Sequence, residues 1–230
     1  MGRRYFFLNF NTWKRFFLVI AFILPYSDIM AQNLPLGYIS HFESDFSAKT
    51  LHKNLIFTPS ADYKIENGYL QLKAKPDTAP VFWPAAAMII NRHVFGDFIS
   101  ELSLINNTTG SDNCPGLFFI FGLRNPQNYY AVQFKPSGAV FLKMYKGAVD
   151  TIDQKPGFVP ATKKTVNLRI ERNILEQSVT FKMNGKEITF TDPNLVMGYF
   201  GLGTETSHIS VDKLSIWAPT SLNDSISFFH

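Results

Sequence analysis

The sequence contains few charged residues and one cysteine. Of its 230 residues, 17% are charged and 46% are hydrophobic, a balance that excludes an intrinsically disordered chain. Because Cys114 is the single cysteine, an internal disulfide is also excluded. No repeat with a period of about 20–50 residues is present, which excludes a solenoid or a propeller. A chain of this length therefore has to fold around a hydrophobic core of its own.

Common catalytic and metal-binding motifs are missing as well. The five histidines show neither the His-x-His nor the His-x3-His spacing of a transition-metal site. The chain has no Gly-x-Ser-x-Gly nucleophile elbow, no phosphate-binding loop and no dinucleotide fingerprint. The sequence therefore predicts neither a transition-metal site nor nucleotide-dependent chemistry.

Residues 1–31 have the composition of a secretory signal peptide. Four basic residues precede an uninterrupted apolar run over 16–24, and Ala31 offers a small residue for cleavage. The run is much shorter than the ~20 residues that a membrane span requires. We expect a secreted or periplasmic protein that begins near Gln32, without stable membrane insertion after cleavage. Retention of the segment as an uncleaved anchor is the alternative.

Removal of this segment leaves a nearly neutral chain. Residues 1–31 hold four of the 22 lysines and arginines and one of the 18 aspartates and glutamates, which leaves 18 basic and 17 acidic residues. The basic character of the full sequence therefore belongs mainly to its N-terminal segment. The remainder gives no reason to expect a nucleic acid as partner.

The rest of the sequence consists of short β-like runs separated by turn residues. Residues 69–74 alternate between apolar and polar side chains, and 117–123 form a continuous apolar run typical of a strand buried on both faces. Asn184-Gly185 is a strong hairpin signal, whereas 146–164 has the composition of a long loop. No helical period is present. The sequence predicts about thirteen strands in an all-β, two-sheet antiparallel β-sandwich.

We expect this sandwich to occupy residues 32–219 as one domain, followed by a loosely ordered tail over 220–230. The order of segments resembles the concanavalin A-like lectin/glucanase superfamily, in particular its laminin-G-like jelly rolls and the keto-disaccharide hydrolase-type domains of exported bacterial proteins. The passages that carry this resemblance are 41–46 with 63–72, 95–98, 116–132, and 198–203 with 211–216.

The resemblance implies a sugar-handling protein but supplies no catalytic signature. The Glu-x-Asp-x-x-Glu strand of the glucanases is absent, and Asn128 and Gln133 stand where similar members carry histidines. Glu101 is the best single candidate for a general acid or base, and an outward position in solvent is the alternative for it. Glu43, Asp45 and Asp212 are candidate ligands of a structural Ca²⁺, because the resemblance places the first and last strands side by side and calcium prefers oxygen ligands. Charged residues that protect a sheet edge are the alternative.

Recognition of a sugar requires an aromatic ring that stacks on the pyranose and polar groups that bind its hydroxyls. The candidate carbohydrate-binding residues that meet this requirement are Trp83, Arg124, Asn128, Tyr129 and Tyr130. Because side chains alternate along a strand, at most one of the two tyrosines lines a groove. The alternative is that one tyrosine belongs to the core and the other residues to a turn.

The leading hypothesis is an exported module that binds a poly- or oligosaccharide on the concave face of one sheet. A glycoside hydrolase on the same fold, using Glu101, is the first alternative. A protein-interaction or structural module of laminin-G-like type is the second.

Overall fold

The computed structural model describes residues 34–48, 50–75, 84–107, 116–205 and 208–224. The regular structure of these residues consists of strands. Residues 1–33, and with them the predicted signal peptide, lie outside these ranges, and so do Trp83, Cys114 and 225–230. The sixteen strands of the described part are β1 Ile39–Ser44, β2 Leu55–Phe57, β3 Ala61–Glu66, β4 Tyr69–Ala74, β5 Ala86–Phe95, β6 Phe98–Asn106, β7 Leu117–Asn125, β8 Asn128–Lys135, β9 Gly138–Tyr145, β10 Ala148–Pro156, β11 Thr165–Asn173, β12 Ser178–Met183, β13 Lys186–Thr191, β14 Gly198–Thr204, β15 Ile209–Ala218 and β16 Ser221–Asp224. None of the described residues forms a helix with the length and apolar character of a membrane span.

The strands form two antiparallel sheets. Sheet A has the order β13-β12-β11-β6-β15-β4-β3, with β1 also paired to β15. Sheet B has the order β10-β9-β8-β7-β14-β5-β16, with β2 also paired to β5. The predicted all-β sandwich of two antiparallel sheets is confirmed. The first and the fifteenth strand are neighbours, as the resemblance implies.

Two strands occur where the sequence predicts irregular chain. β10 lies within the long loop expected over 146–164, and it pairs with β9 at the edge of sheet B. Most of its side chains are exposed, so its sequence lacks the apolar alternation that marks a strand with one buried face. β16 lies in the stretch expected to be a loose tail, and it pairs with β5.

Ser221 of β16 forms hydrogen bonds to two histidines. Ser221 Oγ lies 2.9 Å from His41 Nδ1 and 3.1 Å from His93 Nδ1. The first of these histidines belongs to β1 of sheet A and the second to β5 of sheet B. This single hydroxyl therefore connects the C-terminal strand to both sheets, a long-range contact that local sequence patterns do not reveal.

The shared core lies between the sheets and is rich in phenylalanine. Phe119 and Phe134 of sheet B meet Phe181 of sheet A edge to face, with ring centroids 5.7 and 5.9 Å apart. Phe141 and Phe190 also meet across the sandwich, with centroids 5.2 Å apart and an angle of 39° between the ring planes. Each such pair adds about 0.5–1.5 kcal/mol beyond the burial of its surface. Because strand side chains alternate, these rings also fix which face of each sheet points inward.

The two outer faces differ sharply in chemistry. On sheet A, Arg169 Nη1 lies 2.5 Å from Glu101 Oε1, and Arg169 Nε lies 2.6 Å from Glu171 Oε1, in a ladder of cross-strand ion pairs. On sheet B, the outward side chains form a second buried apolar cluster. The members of that cluster are Ala87, Ile89, Phe118, Ile120, Leu123, Tyr129, Ala131, Val140, Leu142, Met144 and Tyr199.

Candidate functional site

A cleft of about 530 Å³ opens at one end of sheet B. Two hairpin turns border it, the β7–β8 turn at 125–128 and the β9–β10 turn at 145–148, together with the loop that joins β13 to β14. The residues that line it are Gly122, Arg124, Asn125, Asn128, Tyr129, Tyr130, Lys143, Met144, Tyr145, Asn194 and Val196. The structure therefore brings four predicted site residues, Arg124, Asn128, Tyr129 and Tyr130, to one cavity.

Two glycines shape the floor of the cleft. At Gly122 the backbone of β7 has a φ of +60°, and a Cβ would lie 2.9 Å from the carbonyl oxygen of Val196. Gly198, at the start of β14, passes so close that its Cβ would lie 2.2 Å from the Gly122 carbonyl carbon. Only glycine adopts the left-handed region freely and permits such a close approach of two backbones. The β7–β14 register shifts at this point, which re-aims the residues that follow Gly122.

Asn128 connects the two turns. Its Oδ1 accepts a hydrogen bond of 3.2 Å from the backbone N–H of Lys146, and its Nδ2 donates to Asn125 Oδ1 at 2.8 Å. The backbone N–H of Gly147 also donates to the carbonyl of Gln127 at 3.2 Å. These bonds hold the β9–β10 turn, and Tyr145 with it, beside the β7–β8 turn. Asn128 keeps one amide hydrogen that a ligand could accept.

The two tyrosines predicted as stacking platforms offer no open ring face. Tyr129 is 2% exposed and Tyr130 is 3% exposed. Tyr130 stacks on Phe121 and Phe141 in the shared core, and its hydroxyl donates to the carbonyl oxygen of Asn194 at 2.9 Å. Burial raises the pKa of both phenols above the ordinary value. Tyr130 therefore anchors Asn194 to the core through its hydroxyl and does not offer its ring to a ligand.

Tyr145 has the exposed ring that the sequence analysis assigned to Tyr129 or Tyr130. It is 51% exposed, and the Nζ atom of Lys146 lies 5.1 Å from its ring centroid. A sequence signal for this position does exist, because the aromatic residue directly precedes Lys146-Gly147, a turn pair with φ values of 52° and 81°. Two-residue hairpin turns require such positive φ values, but the expectation of a loop at 146–164 obscured the pattern.

Two cations and three amides line the cleft, and no carboxylate is among its described lining residues. The Arg124 side chain is exposed and forms no hydrogen bond or ion pair with another described residue. Lys143 Nζ lies 3.8 Å from Asp192 Oδ2 and 5.5 Å from the Tyr130 ring centroid. Burial lowers the pKa of Lys143, but Tyr130 and Asp192 oppose this effect and raise the pKa overall. The amine is therefore cationic at neutral pH.

Asp192 holds the β13–β14 loop against the cleft. Its Oδ1 accepts hydrogen bonds from the backbone N–H of Asn194 at 2.6 Å and from Asn194 Nδ2 at 3.0 Å. The carboxylate is 6% exposed, so these bonds stabilise it away from solvent. The side-chain oxygen of Asn194 remains available as an acceptor at the rim of the cleft.

Glu101 lies outside the cleft. It belongs to β6, faces outward on sheet A and forms its ion pair with Arg169 there. Burial raises the pKa of its carboxyl although Arg169 opposes the shift. The role of general acid or base for Glu101 stays a prediction. In the described part of the chain its carboxyl is bound by Arg169, which also binds Glu171.

Two of the three carboxylates expected to bind Ca²⁺ have other contacts. Glu43 lies 3.7 Å from Lys213 Nζ, and Asp45 accepts hydrogen bonds from the Ser47 amide and hydroxyl at 3.0 and 2.8 Å. Asp212 occupies the register shift of β15 against β6. Within the described ranges, no group of three or more histidine, cysteine, aspartate or glutamate side chains is placed to hold a metal ion.

Comparison with known proteins identifies the fold and no sequence family. No family model matches the chain, and no curated protein matches it in sequence. Among solved structures, winged bean acidic lectin complexed with methyl-α-D-galactose superimposes with a TM-score of 0.54 and 17% identity, over 82% of this chain and 100% of the lectin. The carbohydrate-binding module CBM66 from Bacillus subtilis gives 0.51 and 14%, over 75% of this chain and 96% of the module.

An enzyme also shares this architecture. A prokaryotic β-1,3-1,4-glucanase (lichenase) derived from a mouse hindgut metagenome gives a TM-score of 0.54 and 12% identity, over 79% of this chain and 100% of the enzyme. The chain therefore has the concanavalin A-like jelly-roll fold shared by lectins, carbohydrate-binding modules and glucanases. Because the same fold supports binding in some proteins and catalysis in others, the function depends on the chemistry of the cleft.

Proposed function

We propose that this protein is a carbohydrate-binding module whose saccharide lies in the cleft at the end of sheet B. The observation that carries the proposal is the exposed ring of Tyr145 beside side-chain amides in a cavity of about 530 Å³. A cavity of this size accommodates a small ligand such as one or two sugar rings. The ring would stack on the apolar face of a pyranose, and the amides of Asn125 and Asn194 would bind its hydroxyls.

The sequence analysis placed the saccharide on the concave face of one sheet. The cleft fits this role better than the outer face of sheet B. That face carries the buried apolar cluster described above, including Ile120, Ala131 and Leu142. Sugar hydroxyls that lose water against aliphatic groups leave their hydrogen bonds unmade, at a cost of about 1–3 kcal/mol each. The polar side chains that avoid this cost lie at the cleft.

Binding is proposed in preference to hydrolysis. No described lining residue of the cleft is a carboxylate, whereas cleavage of a glycosidic bond usually requires an acid and a second carboxyl about 5–10 Å apart. The lysine present there can bind a sugar oxygen, but Tyr130 and Asp192 raise its pKa, which makes it a poor proton donor at neutral pH.

Replacing Tyr145 with alanine is expected to weaken binding of a saccharide selected on a glycan array by at least about tenfold, because the stacking surface is lost. Isothermal titration calorimetry measures the change. Tyr63→Ala is the matched control, since Tyr63 is a comparably exposed tyrosine, at 42%, on β3 of sheet A. Absence of binding to any glycan by the unchanged protein would exclude the proposed function. Equal losses in both variants would place the saccharide elsewhere.

We further propose that the protein is exported. The support is the sequence of residues 1–31, in which basic residues precede an apolar run and a small residue at Ala31. The mature protein is expected to begin at Gln32, and N-terminal sequencing of material recovered from the periplasm or the medium checks this. A protein found only in the cytoplasm with Met1 retained would contradict export.

A further inference from the structure

We infer that the saccharide is anionic, carrying a carboxylate or sulfate group that Arg124 and Lys143 bind in the same cleft. This inference rests on the proposed function and narrows the class of saccharide.

The balance of charge inside the cleft is the first observation. Arg124 and Lys143 line it, and no described lining residue is acidic. Lys146 adds a third cation at the rim, above the Tyr145 ring. A neutral sugar can accept hydrogen bonds from these cations, but it leaves their charge uncompensated. An anionic group on the sugar would compensate these charges and form charge-assisted hydrogen bonds.

The carboxylates nearest to these cations do not occupy the cleft. Asp192 touches Lys143 at 3.8 Å, beyond hydrogen-bonding distance, and its Oδ1 already accepts two bonds from Asn194. Asp150 opposes Lys143 across the β9–β10 pair and is exposed on the edge strand. Neither side chain lines the cleft. Lys143 keeps its long ion pair with Asp192, so Arg124 is the lining cation that forms no ion pair with another described residue.

Arg124 has the geometry that recognises an anion. Its guanidinium presents a planar pair of N–H donors that matches the two oxygens of a carboxylate or sulfate. The side chain forms no ion pair with another described residue, whereas Arg169 on sheet A is held between Glu101 and Glu171. Arg124 lies near the end of β7, two residues after Gly122, where the pairing of β7 with β8 is irregular.

A uronic acid fits these groups together. Its ring offers an apolar face to Tyr145, its hydroxyls meet the amides of Asn125 and Asn194, and its carboxylate meets Arg124. The same three contacts are available to a sulfated sugar. Both ligands combine one stacking surface with one anionic group, which is the combination that the cleft presents.

The test uses the mature protein and a panel of uronate oligosaccharides, each paired with its carboxyl-reduced neutral counterpart. Sulfated oligosaccharides and their unsulfated parents form a second arm, which distinguishes the two anionic groups. The anionic member of at least one pair is expected to bind tenfold or more tightly than its neutral counterpart in low salt. Arg124→Gln is expected to remove most of that preference, so that the affinity falls much further for the anionic member than for its neutral counterpart.

Lys135→Gln is the matched control. Lys135 is an exposed lysine at the opposite end of β8 and forms no ion pair with another described residue, so its substitution changes the net charge equally. The control should keep the preference for the anionic sugar. Equal losses in the two variants would indicate general attraction of a polyanion and would overturn the inference.

Other outcomes separate the inference from the proposed function. Binding of neutral saccharides alone, with loss in Tyr145→Ala, would overturn the anionic preference and leave the carbohydrate-binding role standing. Binding of an anionic saccharide that Arg124→Gln weakens to the same extent as its neutral counterpart would also overturn the inference. Absence of any saccharide binding would remove both proposals.

Discussion

Replacing Gly198 with alanine is expected to lower the free energy of unfolding by at least about 3 kcal/mol. The new Cβ would lie 2.2 Å from the Gly122 carbonyl carbon and 2.4 Å from the Leu123 nitrogen. Both are backbone atoms of β7, so no rotamer change relieves the clash and the two strands would have to separate. Urea denaturation followed by circular dichroism measures the loss.

Gly96→Ala is the matched control for this substitution. A Cβ at Gly96 would meet its nearest neighbour, the Met197 side chain, at 3.6 Å, which is an ordinary contact. The alanine also restricts the unfolded chain, so Gly96→Ala should be neutral or slightly stabilising. If Gly198→Ala unfolded at the same urea concentration as Gly96→Ala, the close approach of β7 and β14 would be refuted. Because Gly122 also lines the cleft, Gly198→Ala should weaken saccharide binding as well.

Replacing Arg172 with alanine is expected to cost about 4 kcal/mol of stability. The side chain is 2% exposed, and its guanidinium donates to the carbonyl oxygens of Phe95 and Val196. Alanine would leave a cavity and two buried carbonyls without donors. Burial lowers the pKa of Arg172 to about 10, so the group is still charged at neutral pH.

Arg172→Met distinguishes the contribution of side-chain volume to stability from the contribution of the charge. Arg172→Met fills most of the space and removes a buried cation, which forms no ion pair with a described carboxylate. Its cost should be less than half that of Arg172→Ala, because replacing a buried charge by an apolar group of similar size is often tolerated. Equal urea midpoints for the two variants would show that packing at this position contributes little.

Both Arg172 variants should also weaken binding of the saccharide, although Arg172 does not line the cleft. The guanidinium holds the carbonyl of Val196, and Val196 lines the cleft. Arg172 is therefore a positioning residue for the β13–β14 loop. Unchanged affinity in Arg172→Met would indicate that the loop is held by Asp192 alone.

The position of the cleft was predictable because its β7–β8 side is local in sequence. Arg124, Asn128 and Tyr130 fall within seven consecutive residues around one turn, and a hairpin keeps such residues together whatever the rest of the fold does. Their individual roles were less predictable. The Asn128 amide forms hydrogen bonds to Asn125 and to the backbone of Lys146, and the Tyr130 ring stacks on core residues, so it offers no open face at the cleft.

Lys143 and Asn194 could not be found in this way. Lys143 belongs to β9, which pairs with β8. Asn194 lies in the loop between β13 of sheet A and β14 of sheet B. Their approach depends on how the two sheets pack, which no pattern within a short window encodes. The same holds for β10, whose exposed side chains carry little hydrophobic signal and whose strand conformation comes from backbone pairing with β9.

The all-β, two-layer antiparallel architecture was predictable from the sequence, because a period of two and the residues of tight turns are local properties of the chain. The tertiary structure alone decided which ring of the cleft is open. Tyr130 is covered because Phe121, Phe141 and the carbonyl of Asn194 converge on it, whereas Tyr145 stays exposed at the end of its strand. Exposure is set by neighbours distant in sequence, and those neighbours meet only once the sheets have packed.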